Sequence, residues 1–135
     1  MKREKKIKNY LSELIKSENN ITFYCGGYGY FDNLCASICK ELQSEKGRIK
    51  IAFITPYITI EYQSKIQGLL NSGMYDCVIY PPIEKVPLKF AISKRNEWMI
   101  SQSDLVVAFV KRTYGGAYKS LQFANRKKKN VINFA

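Results

Sequence analysis

The sequence contains no histidine and no Cys-x-x-Cys pair. Its four cysteines, Cys25, Cys35, Cys39 and Cys77, fall in two apolar strand-like runs and on one helix face. A zinc site would need ligands converging from three elements, so the thiols read as buried and reduced, and neither a metal nor a cofactor is expected. No apolar run reaches the roughly 18 residues of a membrane-crossing helix, and no membrane partner is expected. The charged start Met1-Lys2-Arg3-Glu4-Lys5-Lys6 has no apolar stretch behind it. That argues against a signal peptide and for a cytoplasmic protein. Acidic residues are scarce: 11 Asp and Glu face 22 Lys and Arg, a net charge of +11 over 135 residues. Such an excess implies an anionic partner, whether nucleic acid, nucleotide or acidic protein. Two clusters concentrate it, Lys2-Arg3-Lys5-Lys6-Lys8 and Arg126-Lys127-Lys128-Lys129. Both also read as solvated helix faces, and the second suits the negative end of a helix dipole.

What is present is an alternation. Ile7, Tyr10, Leu11, Leu14 and Ile15 make residues 4–18 an amphipathic leading helix, within a leading segment 1–19. It ends at Glu18-Asn19-Asn20. Strands are expected at 21–25, 48–54, 75–80, 104–110 and 131–134. Helices are expected at 32–45, 59–71, from Pro87 to about 102, and at 117–129. Lys46-Gly47 and Ser72-Gly73 read as helix stops. The predicted fold is α/β: a single Rossmann-like three-layer sandwich, with a five-stranded mostly parallel sheet and helices on both faces, spanning 1–135 as one domain. Ligands in such folds bind beyond the carboxyl ends of the strands, where strand order reverses.

Three loops share that predicted edge. The first is Cys25-Gly26-Gly27-Tyr28-Gly29-Tyr30-Phe31-Asp32, between a strand and a helix. Glycines let the backbone approach an anion, and the helix start aims N–H groups at it. Gly27-x-Gly29 gives two glycines of the dinucleotide fingerprint, but Asp32 stands at the third, and a plain turn capped by Asp32 explains the same residues. The second loop is Thr55-Pro56-Tyr57. The third, Thr113-Tyr114-Gly115-Gly116-Ala117-Tyr118-Lys119, is bracketed by Lys111, Arg112 and Lys119. Arg95 lies in the apolar stripe of its helix with Leu88, Ala91, Ile92, Trp98 and Met99. It reads either as a phosphate ligand or as half of a structural ion pair with Asp104 or Glu61.

These residues carry a resemblance. The segments Cys25–Asp32, Arg95-Asn96-Glu97-Trp98-Met99, Ser103-Asp104 and Gly115-Gly116-Ala117-Tyr118 resemble the SLOG superfamily, which joins the Lonely-guy phosphoribohydrolases to the DNA-processing Smf/DprA proteins. More narrowly, the chain is similar to small SLOG proteins of Firmicutes and their phages. The resemblance implies a nucleotide or nucleotide-derived ligand between the two glycine loops. Arg95 and Met99 match the Arg-Lys-x-x-Met motif of the Lonely-guy enzymes, and Gly115-Gly116 the double glycine of Pro-Gly-Gly-x-Gly-Thr-x-Glu. Tyr114 replaces the proline, Lys119 the threonine, and Leu121-Gln122 the acidic positions. Glycosidic cleavage ordinarily uses a carboxylate, for which Glu97, Glu61 and Asp104 are the candidates.

The resulting expectation is a nucleotide-binding module, with a sensor role among its readings, whose ligand residues are Gly26, Gly27, Tyr28, Gly29, Thr55, Tyr57, Arg95, Asn96, Gly115, Gly116 and Ala117. The alternatives are a nucleoside monophosphate phosphoribohydrolase using Arg95 and Glu97, and a DNA- or RNA-binding module. A homo-oligomer is compatible with each.

Overall fold

The computed structural model describes residues 2–18, 20–27, 29–45 and 48–135. Asn19, expected at the end of the leading helix, Tyr28, an expected ligand residue, and Lys46-Gly47, an expected helix stop, lie outside the described residues. The chain divides into two compact units, Met1–Ile79 and Tyr80–Ala135.

The first unit opens with α1, Lys2–Ser17. Its Ile7, Leu11 and Ile15 recur at helical spacing and are buried, and α1 packs against α2. Strand β1, Ile21–Cys25, leads through the glycine turn into α2, Gly29–Glu45. Strand β2, Ile49–Ile54, follows, then α3, Ile60–Asn71, and β3, Cys77–Ile79. The three strands form one parallel sheet in the order β1-β2-β3. Central β2 is apolar apart from Lys50, as a strand flanked on both edges should be, and Ile51, Ala52, Phe53 and Ile54 are almost fully buried. Against it lie Ala36, Ile38, Cys39 and Leu42 of α2. Asp76 sets the register at the start of β3. Its carboxylate accepts the Ile51 N–H at 2.8 Å and a Gln43 amide N–H at 2.6 Å, while its own N–H donates to the Ile51 carbonyl at 2.8 Å.

The second unit starts with a 3-10 turn, Leu88–Phe90, behind Pro87. It continues as α4, Ala91–Gln102, then β4, Leu105–Ala108, α5, Gly116–Arg126, and β5, Asn130–Asn133. Strands β4 and β5 pair in parallel, with Val106 opposite Val131. Helices α4 and α5 pack together, and Ala91, Ile100 and Ala124 are buried.

The alternating order of elements is as expected, and the α/β class holds. The single five-stranded sheet does not: the described strands form two parallel sheets, of three and two strands. Alternation fixes the order of elements along the chain, whereas a ladder depends on which strand edges hydrogen-bond. Neither sheet contains a reversal of strand order, so the expected switch point within one sheet is absent among the described residues. No described helix is long and apolar enough to cross a membrane.

Candidate functional site

In the first unit the carboxyl ends of β1 and β2 are neighbours. Cys25 pairs with Phe53, so the chain leaves β1 through Gly26 and Gly27 beside the end of β2. Gly27 has a φ of 75°. A Cβ there would stand 2.5 Å from Cε1 of Phe53, a ring locked in the core. The backbone can therefore pass this close to the sheet only as glycine. Gly29, with a φ of 80°, starts α2 in open space. The structure thus brings Gly26, Gly27 and Gly29 to the same sheet edge as Thr55 and Tyr57.

Thr55 is only 1% exposed. Its Oγ1 donates to the Tyr57 carbonyl at 2.8 Å and accepts the Tyr57 N–H at 3.3 Å. Its N–H donates to the Ile79 carbonyl at 2.9 Å, joining the turn to the end of β3. Thr55 therefore shapes the turn and positions Tyr57, whose ring meets Tyr62 edge-on at 5.2 Å. The first turn of α2 carries Asp32. Burial, then the Asp32 charge, push the Cys25 and Cys35 thiols up to about 12. Tyr75 is likewise pushed up to about 12, chiefly by burial. These thiols are protonated and poor nucleophiles near neutrality, in line with the buried-thiol reading. Among the described residues no cluster of Cys, Asp and Glu could hold a metal ion.

Sequence reasoning missed a contact at this edge. The Tyr30 hydroxyl donates to Glu4 at 2.7 Å, which ties α1 to the residue that follows Gly29. This bond also raises the Tyr30 pKa. Glu4 and Tyr30 lie 26 positions apart, and nothing in their spacing links them.

In the second unit the β4–α5 loop reaches Gly115, with φ 91° and ψ 179°, a conformation essentially reserved for glycine. Gly115 is the N-cap of α5 and brings no side chain to cap it, and the first turn of α5 has no acidic residue. The N–H groups of residues 116–118 precede the first intrahelical bond, in which the Lys119 N–H donates to Gly115 at 3.0 Å. Lys111 and Arg112, which precede this helix start in the chain, and Lys119 in its first turn are exposed, as are Gly116 and Ala117. The Arg112 guanidinium lies 5.6 Å from the centre of the Tyr114 ring, and Tyr114 is 65% exposed. Asn133 holds the root of the loop. Its side chain accepts the Val110 N–H and donates to the Val110 carbonyl, both at 3.0 Å, and so imitates one more rung of the ladder. A polar residue closing an apolar strand is the sequence signal for it.

Arg95 is 2% exposed. Its Nε donates to Asn96 Oδ1 at 2.8 Å, so both candidate residues are engaged with each other. Glu97 pairs with Lys94 at 3.3 Å on the outer side of α4. Residues two apart on a helix point to opposite sides, so Arg95 and Glu97 do not converge on one atom. No protein-family model matches this chain, and no curated protein matches it in sequence.

Proposed function

We propose that the chain binds a nucleotide or nucleotide-derived ligand, and that the β4–α5 loop receives its phosphate. The observation that carries this reading is the uncapped start of α5 behind Gly115, in a segment that also carries exposed Lys111, Arg112 and Lys119. A helix start with open N–H groups and neighbouring cations favours an oxyanion. Arg112 adds a planar donor set suited to phosphate. Exposed Tyr114, beside the glycines, offers a face for a base. The resemblance of Gly115-Gly116-Ala117-Tyr118 to the Lonely-guy glycine motif points the same way.

The start of α2 is a poorer phosphate site. Asp32 already places a carboxylate in its first turn, where it would repel an anion. Arg95, buried and bonded to Asn96, is assigned to holding α4 rather than to neutralising phosphate. With Arg95 and Glu97 on opposite sides of α4, binding without turnover is the reading we adopt.

The test is a mass-spectrometric assay of the full chain with a pool of nucleoside monophosphates, scoring retained nucleotide and released base. Retention that falls about tenfold or more in Arg112→Ala is expected. Released base above a no-protein control would replace binding with hydrolysis. Retention equal in wild type and Arg112→Ala would remove the loop from the account.

A further inference from the structure

The positive charge is unevenly spread. The second unit has eleven Lys and Arg against three Asp and Glu, +8 of the chain's +11. Its last acidic residue is Asp104; residues 105–135 hold seven Lys and Arg and no acid at all. On α5, Lys119, Gln122 and Arg126 are spaced three and four apart and exposed, so they form one outer stripe. The stripe runs on into exposed Lys127 and Lys128.

The end of this stripe contains a local conflict. After α5 the Lys128 N–H donates to the Asn125 carbonyl and the Lys129 N–H to the Ala124 carbonyl, each at 3.0 Å. This is the Schellman pattern, and Lys128 fills the left-handed position where glycine is usual. Its φ is 56°, the one positive value outside glycine among the described residues. A cation near the negative end of the helix is accounted for by the dipole, and Arg126 and Lys127 already lie there. A lysine in the position that favours glycine is not, and it points to a partner that uses the charge.

We infer that the α5 stripe, Lys119, Arg126, Lys127 and Lys128, is a sequence-independent docking surface for the phosphate backbone of double-stranded nucleic acid. The stripe runs roughly 10 Å along the helix, long enough to meet several phosphates of a duplex. A single strand would ask for open aromatic platforms. The aromatic within the stripe, Phe123, is half-buried and covered by Arg126 at 5.8 Å and Lys127 at 5.5 Å. Contacts from these cations to phosphate position the duplex without reading its sequence, which makes the proposed docking sequence-independent. The surface shares Lys119 with the proposed phosphate site, but Arg126, Lys127 and Lys128 lie at the opposite end of α5 from Gly115, and their placement does not rest on the nucleotide reading.

The experiment is fluorescence anisotropy of the full chain with two unrelated 20-base-pair duplexes, one matching single strand and polyglutamate, between 50 and 200 mM NaCl. Four phosphate contacts predict a log–log salt slope of about −3.6, equal for both duplexes. The triple variant Arg126→Gln, Lys127→Gln, Lys128→Gly should reduce the slope by about 2.7. Lys128→Gly alone should reduce it by about 0.9 with an unchanged or higher Tm, since it relieves the left-handed backbone. The inference is overturned by absence of duplex binding at 50 mM NaCl, by tighter binding to the single strand or to polyglutamate, or by an unaltered slope in the triple variant. Gly116→Asp, one turn from Lys119 and distant from Arg126, Lys127 and Lys128, should change nucleotide retention and reduce the duplex salt slope by no more than the roughly 0.9 of the single Lys119 contact.

Discussion

At the scale of single residues, the two positions with the firmest physical argument are Gly27 and Arg95. Gly27→Ala combines a left-handed φ with a Cβ driven into the Phe53 ring. The backbone term is about 1–2 kcal/mol and the overpacking term about 1–3 kcal/mol. A loss of about 2–5 kcal/mol in urea unfolding is expected. Gly29→Ala keeps only the backbone term, because its Cβ meets nothing within 4 Å. Equal losses for the two variants would contradict the packing argument. Arg95→Ala removes a large side chain that is 98% buried, so it should destabilise the chain by about 2–5 kcal/mol. A chain of normal stability that has lost its nucleotide would instead restore Arg95 as a ligand residue. Burial also governs the thiols. Cys25 and Cys35 titrate near 9.0 when unfolded and at about 12 in the fold. The folded form then holds more protons at alkaline pH. Their contribution to stability is complete below pH 9 and is lost as pH rises toward 12. Tm should fall across that window, and mutation of both cysteines to alanine should flatten the fall.

At the scale of elements, Asp76 offers a direct test of how β3 is fixed. Asp76→Ala removes acceptors for the Ile51 N–H and for Gln43, and a loss of about 1–3 kcal/mol is expected by denaturant unfolding. Asp76→Asn, which keeps one acceptor oxygen, should recover part of it. This network also marks what the sequence made legible and what it did not. Strand β1 falls on the predicted residues 21–25, since an apolar run between Asn20 and Gly26 has sharp edges. Strand β4 covers 105–108 rather than 104–110, because its apolar run continues past the point where β5 ends and Asn133 takes over the pairing. Helix α2 begins three residues early, at Gly29, since a glycine with positive φ turned the chain sooner than the expected cap at Asp32. The candidate residues divided by the same logic. Gly27, Gly29 and Gly115 were legible because glycine at a strand–helix junction has a backbone reason. The fate of Thr55 was not, because its hydroxyl is used by a carbonyl two residues on, which leaves no trace in spacing.

At the scale of the whole molecule, the chain is two units with unequal cores. The first buries all of Ile51, Ala52, Phe53 and Ile54 in its middle strand, together with the apolar face of α1. The second has half-buried strands and few fully buried apolar residues. Amide hydrogen exchange should therefore be slowest in β2 and faster in β4 and β5. Exchange of β4 as slow as that of β2 would contradict this division. The same scale carries the charge asymmetry, +8 in the second unit, which concentrates anion attraction where the uncapped helix start also lies.

The central claim is that the start of α5 holds a phosphate, and the most direct measurement is nucleoside monophosphate affinity by calorimetry in wild type and Gly116→Asp, with Tm read on both. The added Cβ at Gly116 meets nothing within 4 Å, and Gly116 has no positive φ. A carboxylate at the first helical position suits the dipole, so Tm should hold or rise. It would occupy the field meant for the ligand, so affinity should fall about tenfold or more. A variant with Tm held and affinity unchanged would contradict the claim.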